Sequence, residues 1–327
     1  MPQTTLSNRV KPLNGAVSDN RRRGLARLKF FLALSRTPHG LLDMATPGLA
    51  ALLWLSTFPS AWTIALGLIT AFAGYTSVYA LNDVVDYRTD KKKLQMTGFQ
   101  DCVNYLDAAI LRHPIAQGCL TLKEGLTWLV AWSLVALLGA FLLNPVCVLI
   151  FLGGFAFEII YCLMWKISPF RSLVSGAVKS CGPLAAVLAV DPEPSLSFLL
   201  LLFLWLFFWE IGGQNIPNDW AEIEEDRQLH ARTILVQYGA EKAVRIIVVS
   251  LALALGLNLL VLRMTVHPFQ IPYIAGFLVI GLGLLILPAY RLYETRERTD
   301  ALTLFRKASY YPLACLTLVT IRILFGH

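Results

Sequence analysis

The chain has 327 residues, of which 56% are hydrophobic and 15% charged, with a formal net charge of +7 and a mean hydropathy of +0.61. Soluble domains are typically about 45–50% apolar and about 25% charged, so this chain is shifted on both counts. Its apolar residues come in long blocks nearly free of ions, which excludes a disulfide scaffold, a disordered polymer and a nucleic-acid binder despite the basic balance.

Residues 1–35 read as a basic tail, with Arg21, Arg22 and Arg23 but no apolar stretch, so a secretory signal peptide is not expected. Blocks long enough to cross a bilayer follow at 40–57, 60–81, 124–143, 146–165, 170–190, 196–216, 243–263, 271–290 and 309–325. They predict an all-α fold: a polytopic membrane protein in which residues 36–327 form a bundle of nine transmembrane helices. The connections after spans one, three, five and seven are short and nearly free of Lys and Arg, whereas the tail and the other connections carry almost all of them. By the positive-inside rule the N-terminus and the long loops, 82–123 and 218–242 among them, are cytoplasmic, in a bacterial inner membrane or its organellar equivalent. An odd span number then puts His327 on the opposite side. The six cysteines show no metal-binding or disulfide spacing.

Span two runs into Asn82-Asp83-x-x-Asp86-x-x-x-Asp90-Lys91, and span six runs into Asn218-Asp219-x-x-Glu222-x-x-x-Asp226-Arg227. The second stretch repeats the first at every polar position, at the same end of an apolar helix. Steps of three and four residues share a helix face, so each stretch stacks like charges beside a low-dielectric boundary. Divalent cations between the carboxylates relieve that repulsion, and hard oxygen ligands suit Mg²⁺ bridging a diphosphate. A diphosphate also needs cations from the protein. Arg36 at the mouth of span one, Arg112, Arg227 and Arg232 are the candidates by position, and Lys92 and Lys93 read as topology determinants.

These two motifs resemble those of the UbiA superfamily of intramembrane prenyltransferases. The stretch Arg112-His113-Pro114 to Gly118 is similar to that family's Arg-Pro element after the first motif, although His113 separates Arg112 from Pro114; Arg232-Thr233 to Gly239 is similar to the stretch after the second. The resemblance implies metal ligands at Asn82, Asp83, Asp86, Asp90, Asp219, Glu222 and Asp226. It also implies phosphate contacts that include Asn82 and Lys166, the latter from a loosely matching element beginning at Tyr161. Mg²⁺ and an isoprenyl diphosphate would meet there, with Asp86 and Asp219 central to departure of the leaving group. The resulting allylic cation would pass to a hydrophobic or aromatic acceptor, by default a quinone-type precursor.

Ionisable residues inside spans are functional candidates in their own right. Glu210 and Gln214 continue the stripe of Asn218 at steps of four, and Glu210 is expected to orient or deprotonate an acceptor. Asp43, Glu158 and Lys179 are similar candidates, and Pro217 is expected to bend span six. The long 91–111 interval is expected either to cap the site or to lie on the membrane surface. A terpene cyclase of the same superfamily is the main alternative. A cation transporter is more distant, because its acids belong near the bilayer midplane. The sequence leaves the oligomeric state open.

Overall fold

The computed structural model describes residues 20–97 and 110–325, and every regular element among them is a helix. In chain order these are α1 (Asn20–Leu34), α2 (Thr37–Asp43), α3 (Ala45–Leu55), α4 (Ala61–Val85), α5 (Tyr87–Thr97), α6 (Leu122–Leu143), α7 (Pro145–Leu163) and α8 (Arg171–Val190). They continue as α9 (Leu196–Trp209), α10 (Ile216–Ala221), α11 (Ile223–Gln228), α12 (Ile234–Arg263), α13 (Ile271–Gly281), α14 (Leu287–Thr295) and α15 (Arg298–Phe325). The expected basic tail lies largely outside the described residues, as does most of the 91–111 interval.

Among the described residues, eight helical stretches are long and apolar enough to cross a membrane. The expected ninth, 40–57, is instead the broken pair α2 and α3, each too short to cross alone. The break has a local cause. Pro47 has no N–H to offer the carbonyl of Asp43 four residues earlier, and its ring crowds that carbonyl. The Thr46 hydroxyl donates to the Asp43 carbonyl instead, at 2.8 Å.

Two other prolines re-register rather than break their helices. Span six, Leu196–Ala221, joins α9 to α10 through a π-helical turn at Glu210–Asn215, where the Ile216 N–H reaches back five residues to the Ile211 carbonyl. Pro217 follows at once, so the bend expected there takes this form. The pattern recurs before Pro288, where Leu282–Ile286 forms a π-turn and the Leu287 N–H bonds the Leu282 carbonyl. Such turns insert one extra residue and rotate the side chains that follow.

The core is apolar and aromatic, with Phe198, Trp205, Trp209, Phe277 and Tyr311 fully buried. Outside it, Trp62, Leu134, Leu149 and Val279 are more than half exposed, as a lipid-facing surface allows. Helices approach closely where glycine permits. A Cβ on Gly176 would sit 2.6 Å from the ring of Phe207, and one on Gly212 would sit 2.9 Å from the Ile247 carbonyl. The α12 helix is interrupted at Gly239, whose φ of 77° is costly for any residue with a side chain.

Candidate active site

The two acidic motifs fold alike. Each begins on the last turn of a spanning helix, passes through a residue that ends that helix, and continues on a short second helix. Asp86 sits at the α4–α5 junction (φ −84°, ψ 0°) and Glu222 at the α10–α11 junction (φ −104°, ψ 12°). Four-residue backbone bonds survive the bend: Asp90 N–H reaches the Asp86 carbonyl at 2.9 Å, and Asp226 N–H reaches the Glu222 carbonyl at 3.0 Å. The stripe of acids is therefore bent, not straight, and the two bends face each other.

Basic groups from three elements hold the motifs together. Lys93 on α5 places Nζ 2.6 Å from Glu222 Oε2 and 3.9 Å from Asp226 Oδ1, tying the first motif's helix to the second motif. Arg112 donates from Nη1 and Nη2 to the two oxygens of Glu225, at 2.9 and 2.8 Å, while Nη2 lies 2.9 Å from Glu222 Oε1. His113 Nδ1 lies 2.9 Å from both Asp83 Oδ1 and Asp90 Oδ2. His113 reaches them from a left-handed backbone (φ 49°) in the turn after Arg112. Arg171, at the start of α8, is buried with its guanidinium 4.1 Å from the centre of the Tyr161 ring, and it faces Asp86, Asp219 and Asp226 electrostatically. Asn215 donates to the Tyr161 hydroxyl at 3.0 Å.

Titration follows from this crowding. Burial, then Asp90, pushes the Asp86 carboxyl up to about 7 against the pull of Arg171 and Lys93. Burial likewise pushes Asp226 up to about 7, although Lys93 opposes it. Burial would also raise Glu222, but Arg112 and Lys93 hold it well below the usual carboxylate range. Burial would lower His113; Asp90 and Asp83 outweigh it and push the imidazole up to about 9, so the ring is cationic at neutral pH.

Seven carboxylates thus converge: Asp83, Asp86, Asp90, Asp219, Glu222, Glu225 and Asp226. The neighbouring cations do not satisfy all of them. Asp219 Oδ2 and Asp226 Oδ1 are buried without a hydrogen-bond donor. Orphaned carboxylate oxygens are expensive in a protein interior. Among the described residues the one set of three ligand atoms within 4.8 Å of one another is Asp83, Asp90 and His113, and the carboxylates around it are the hard oxygen donors that a cation such as Mg²⁺ takes.

Glu210 lies deeper, buried in the π-turn of span six and lining a cavity in the bundle; the other expected site residues divide into two groups. Asn82, Asp83, Asp86, Asp90, Asp219, Glu222 and Asp226 come together. Arg36 joins them, its Nη2 being 3.5 Å from Asn82 Oδ1 and 3.9 Å from Asp83 Oδ1. Arg112 joins them too, bonded to carboxylates. Three others lie on exposed surface with partners of their own. Lys166 sits over the Trp165 ring, Arg227 pairs with Glu224, and Arg232 donates to the Ile167 carbonyl at 3.4 Å. The sequence reading gives Lys93 only a topological role, and it gives His113, Arg171 and Glu225 none. Lys93 falls three residues after Asp90 and Glu225 three after Glu222, so helical register could have found both. Arg171 carries no such signal.

A cavity of about 530 Å³ opens beside the carboxylates and runs into the bundle. Arg36, Asn82, Glu158, Tyr161, Asn215 and Asn218 line it nearest the motifs, and Asn82 donates to Glu158 Oε1 at 2.9 Å. Farther in, the walls are mostly apolar, with Leu52, Phe58, Ile64, Leu68, Leu143 and Val190.

An acidic, partly neutralised mouth above an apolar cavity in a helical bundle is the layout of a catalyst that parts a polar leaving group from a hydrocarbon chain. The sequence profile of the UbiA prenyltransferase family matches residues 44–311, and the chain belongs to that family. No curated relative matches it by sequence. Its fold is shared by solved UbiA homologues. One from Aeropyrum pernix K1, in the apo state, superposes with a TM-score of 0.70 at 17% identity, covering 86% of this chain and 97% of the other. One from Archaeoglobus fulgidus, bound to DMAPP and Mg²⁺, gives 0.63 at 15% identity over 88% and 99%. A digeranylgeranylglyceryl phosphate synthase gives 0.62 at 17% identity over 92% and 98%.

Proposed function

We propose that this protein is a Mg²⁺-dependent intramembrane prenyltransferase that moves an isoprenyl group from an allylic diphosphate to a hydrophobic, quinone-type aromatic acceptor. The observation that carries the reading is an apolar cavity whose rim, at Arg36, Asn82 and Asn218, adjoins the two acidic motifs. A diphosphate head and an isoprenoid tail need those two environments side by side. A UbiA homologue of the same fold is bound to GPP and Mg²⁺, which supports the substrate class.

Asp83, Asp86, Asp90, Asp219, Glu222 and Asp226 would hold the metal, with Asn82 beside them. Bound there, Mg²⁺ supplies charge neutralisation for the departing diphosphate. The chain's own groups do the rest. Arg36 and Arg171 add fixed positive charge close to the carboxylates, where it favours a developing anion. Lys93 and Arg112 brace the second motif so that its carboxylates stay aimed at the first. The apolar wall excludes water from the allylic cation formed as the C–O bond breaks, so that an acceptor captures it. In this reading the mouth and the N-terminus face the cytoplasm, as the basic loops require.

The test is incubation of membranes carrying the chain with labelled allylic diphosphates of graded length, with and without Mg²⁺, followed by analysis of diphosphate and prenylated product. Mg²⁺-dependent release that is lost in Asp86→Ala and Asp219→Ala supports the reading. A hydrocarbon formed without acceptor converts it to a cyclase, and no release from any prenyl diphosphate ends it.

A further inference from the structure

Beneath the mouth, the same cavity holds a second ionic cluster that diphosphate binding leaves unused. Lys179 Nζ, on α8, lies 2.7 Å from Asp43 Oδ2 and 3.8 Å from Glu210 Oε2. The Tyr79 hydroxyl donates to the same Asp43 oxygen, and His39 Nε2 is 3.7 Å from Asp43 Oδ1. Ser175 donates to Glu210 Oε1 at 2.7 Å. Asp43 and Glu210 are more than nine-tenths buried, and Glu210 Oε2 accepts no hydrogen bond. All six of these residues line the cavity.

Stability does not account for such a cluster. Two carboxylates and an ammonium taken out of water contribute no more than apolar side chains of similar volume would. Within a membrane-embedded bundle, ionisable groups mark a functional path. Glu210 also opens the π-turn of span six, a deviation that is common at functional sites. The depth fits. Lys179 lies two helical turns below Arg171, roughly 12 Å at about 1.5 Å per residue. A diphosphate held at the mouth fills the upper part of that distance, which leaves room for one small ring between its reacting carbon and the cluster.

The charges then restrict what that ring can carry. Lys179 is already committed to the chain's own acids, at 2.7 Å from Asp43 and 3.8 Å from Glu210, so a further negative group would have to compete with them for it. An uncharged hydroxyl is matched on both sides, donating to Glu210 Oε2 and accepting from Lys179.

Resting on the prenyl-transfer reading, we propose that the Asp43–Lys179–Glu210 cluster is the acceptor's polar subsite, which takes a neutral phenol-type hydroxyl and rejects a ring carboxylate or phosphate. A ring carbon ortho to the hydroxyl forms the new bond to the allylic carbon as that carbon's bond to the diphosphate oxygen breaks, and diphosphate leaves with the electron pair of the broken bond. The acceptor's hydroxyl proton passes to Glu210 Oε2, and the ring C–H proton then moves to the phenolic oxygen, which restores the aromatic ring.

The test uses the full-length chain in nanodiscs with Mg²⁺ and geranyl diphosphate. Two probes share a ring and differ in one charge, 4-methylphenol and 4-hydroxybenzoate. The wild-type chain is expected to bind and prenylate the phenol at least about 100-fold better, about 2.7 kcal/mol, since a carboxylate would compete with Asp43 and Glu210 for Lys179. In the size-conserving pair Asp43→Asn with Glu210→Gln, Lys179 is unopposed, and the preference should shrink or invert. Glu210→Gln alone should lower kcat for the phenol while the diphosphate Kd stays within about twofold, which also shows that the variant is folded. Equal use of the two probes by the wild-type chain, which needs no variant, overturns the proposal. So does a preference unchanged in the double variant. If the wild-type chain binds no prenyl diphosphate, the mouth reading fails and the subsite falls with it; diphosphate bound without discrimination sinks the subsite alone.

Discussion

Arg112 separates two roles that its position in sequence leaves together. As a phosphate ligand it would keep its guanidinium for the substrate; the structure instead fastens it to Glu225 by two bonds of 2.8 and 2.9 Å, with Glu222 a further 2.9 Å contact. Both side chains of the bidentate pair are nearly fully buried, at 8% and 7% exposure. Removing one partner strands the other, and a stranded buried charge costs about 3–5 kcal/mol. Removing both leaves no orphan at that pair, so the double change should cost far less than the sum. A double-mutant cycle of Arg112→Gln and Glu225→Gln, read by equilibrium unfolding in detergent, should give a coupling of about 2–3 kcal/mol. Diphosphate affinity is measured on the same four proteins. If Arg112 binds substrate chiefly through its own charge, Arg112→Gln loses diphosphate affinity that Glu225→Gln does not restore. Additive stabilities with unrestored affinity would refute the bracing role.

Three further expectations follow from packing and capping. Gly212→Ala drives a Cβ to within 2.9 Å of the Ile247 carbonyl, so it should destabilise the bundle by about 1–3 kcal/mol; wild-type unfolding behaviour would show that the contact between span six and α12 is looser than described. Tyr161→Phe removes the hydroxyl's bonds with Asn215 and Arg171 but leaves the ring beneath Arg171, for a loss of about 1–3 kcal/mol, whereas Tyr161→Ala also loses the cation–π contact and should cost clearly more. Thr121 caps α6 in a reciprocal pair with Glu124, so Thr121→Ala should cost about 1 kcal/mol in unfolding experiments while leaving prenyl transfer intact. A loss of transfer out of proportion to stability there would tie the α6 start to the chemistry.

The sequence by itself determined most of the architecture, because a bilayer leaves few choices. Apolar blocks of this length must become helices, since no water inside the membrane can satisfy an open backbone. The paired acidic motifs were equally legible, because polar residues at helix ends cannot hide in an apolar composition. Their repetition in sequence became repetition in structure, down to Asp86 and Glu222 each standing at a helix junction.

What only the tertiary structure decided is where long side chains end. Lys93 reads as a loop cation and proves to be the tie between motifs, while Lys166, Arg227 and Arg232 read as site cations and lie on exposed surface. A flexible basic side chain goes to whichever carboxylate lies within its reach, and that reach is set by helices distant in sequence. The same holds within the bundle. Asp43, Lys179 and Glu210 stand on three helices whose spacing carries no shared period, and only their packing around one cavity makes them a cluster.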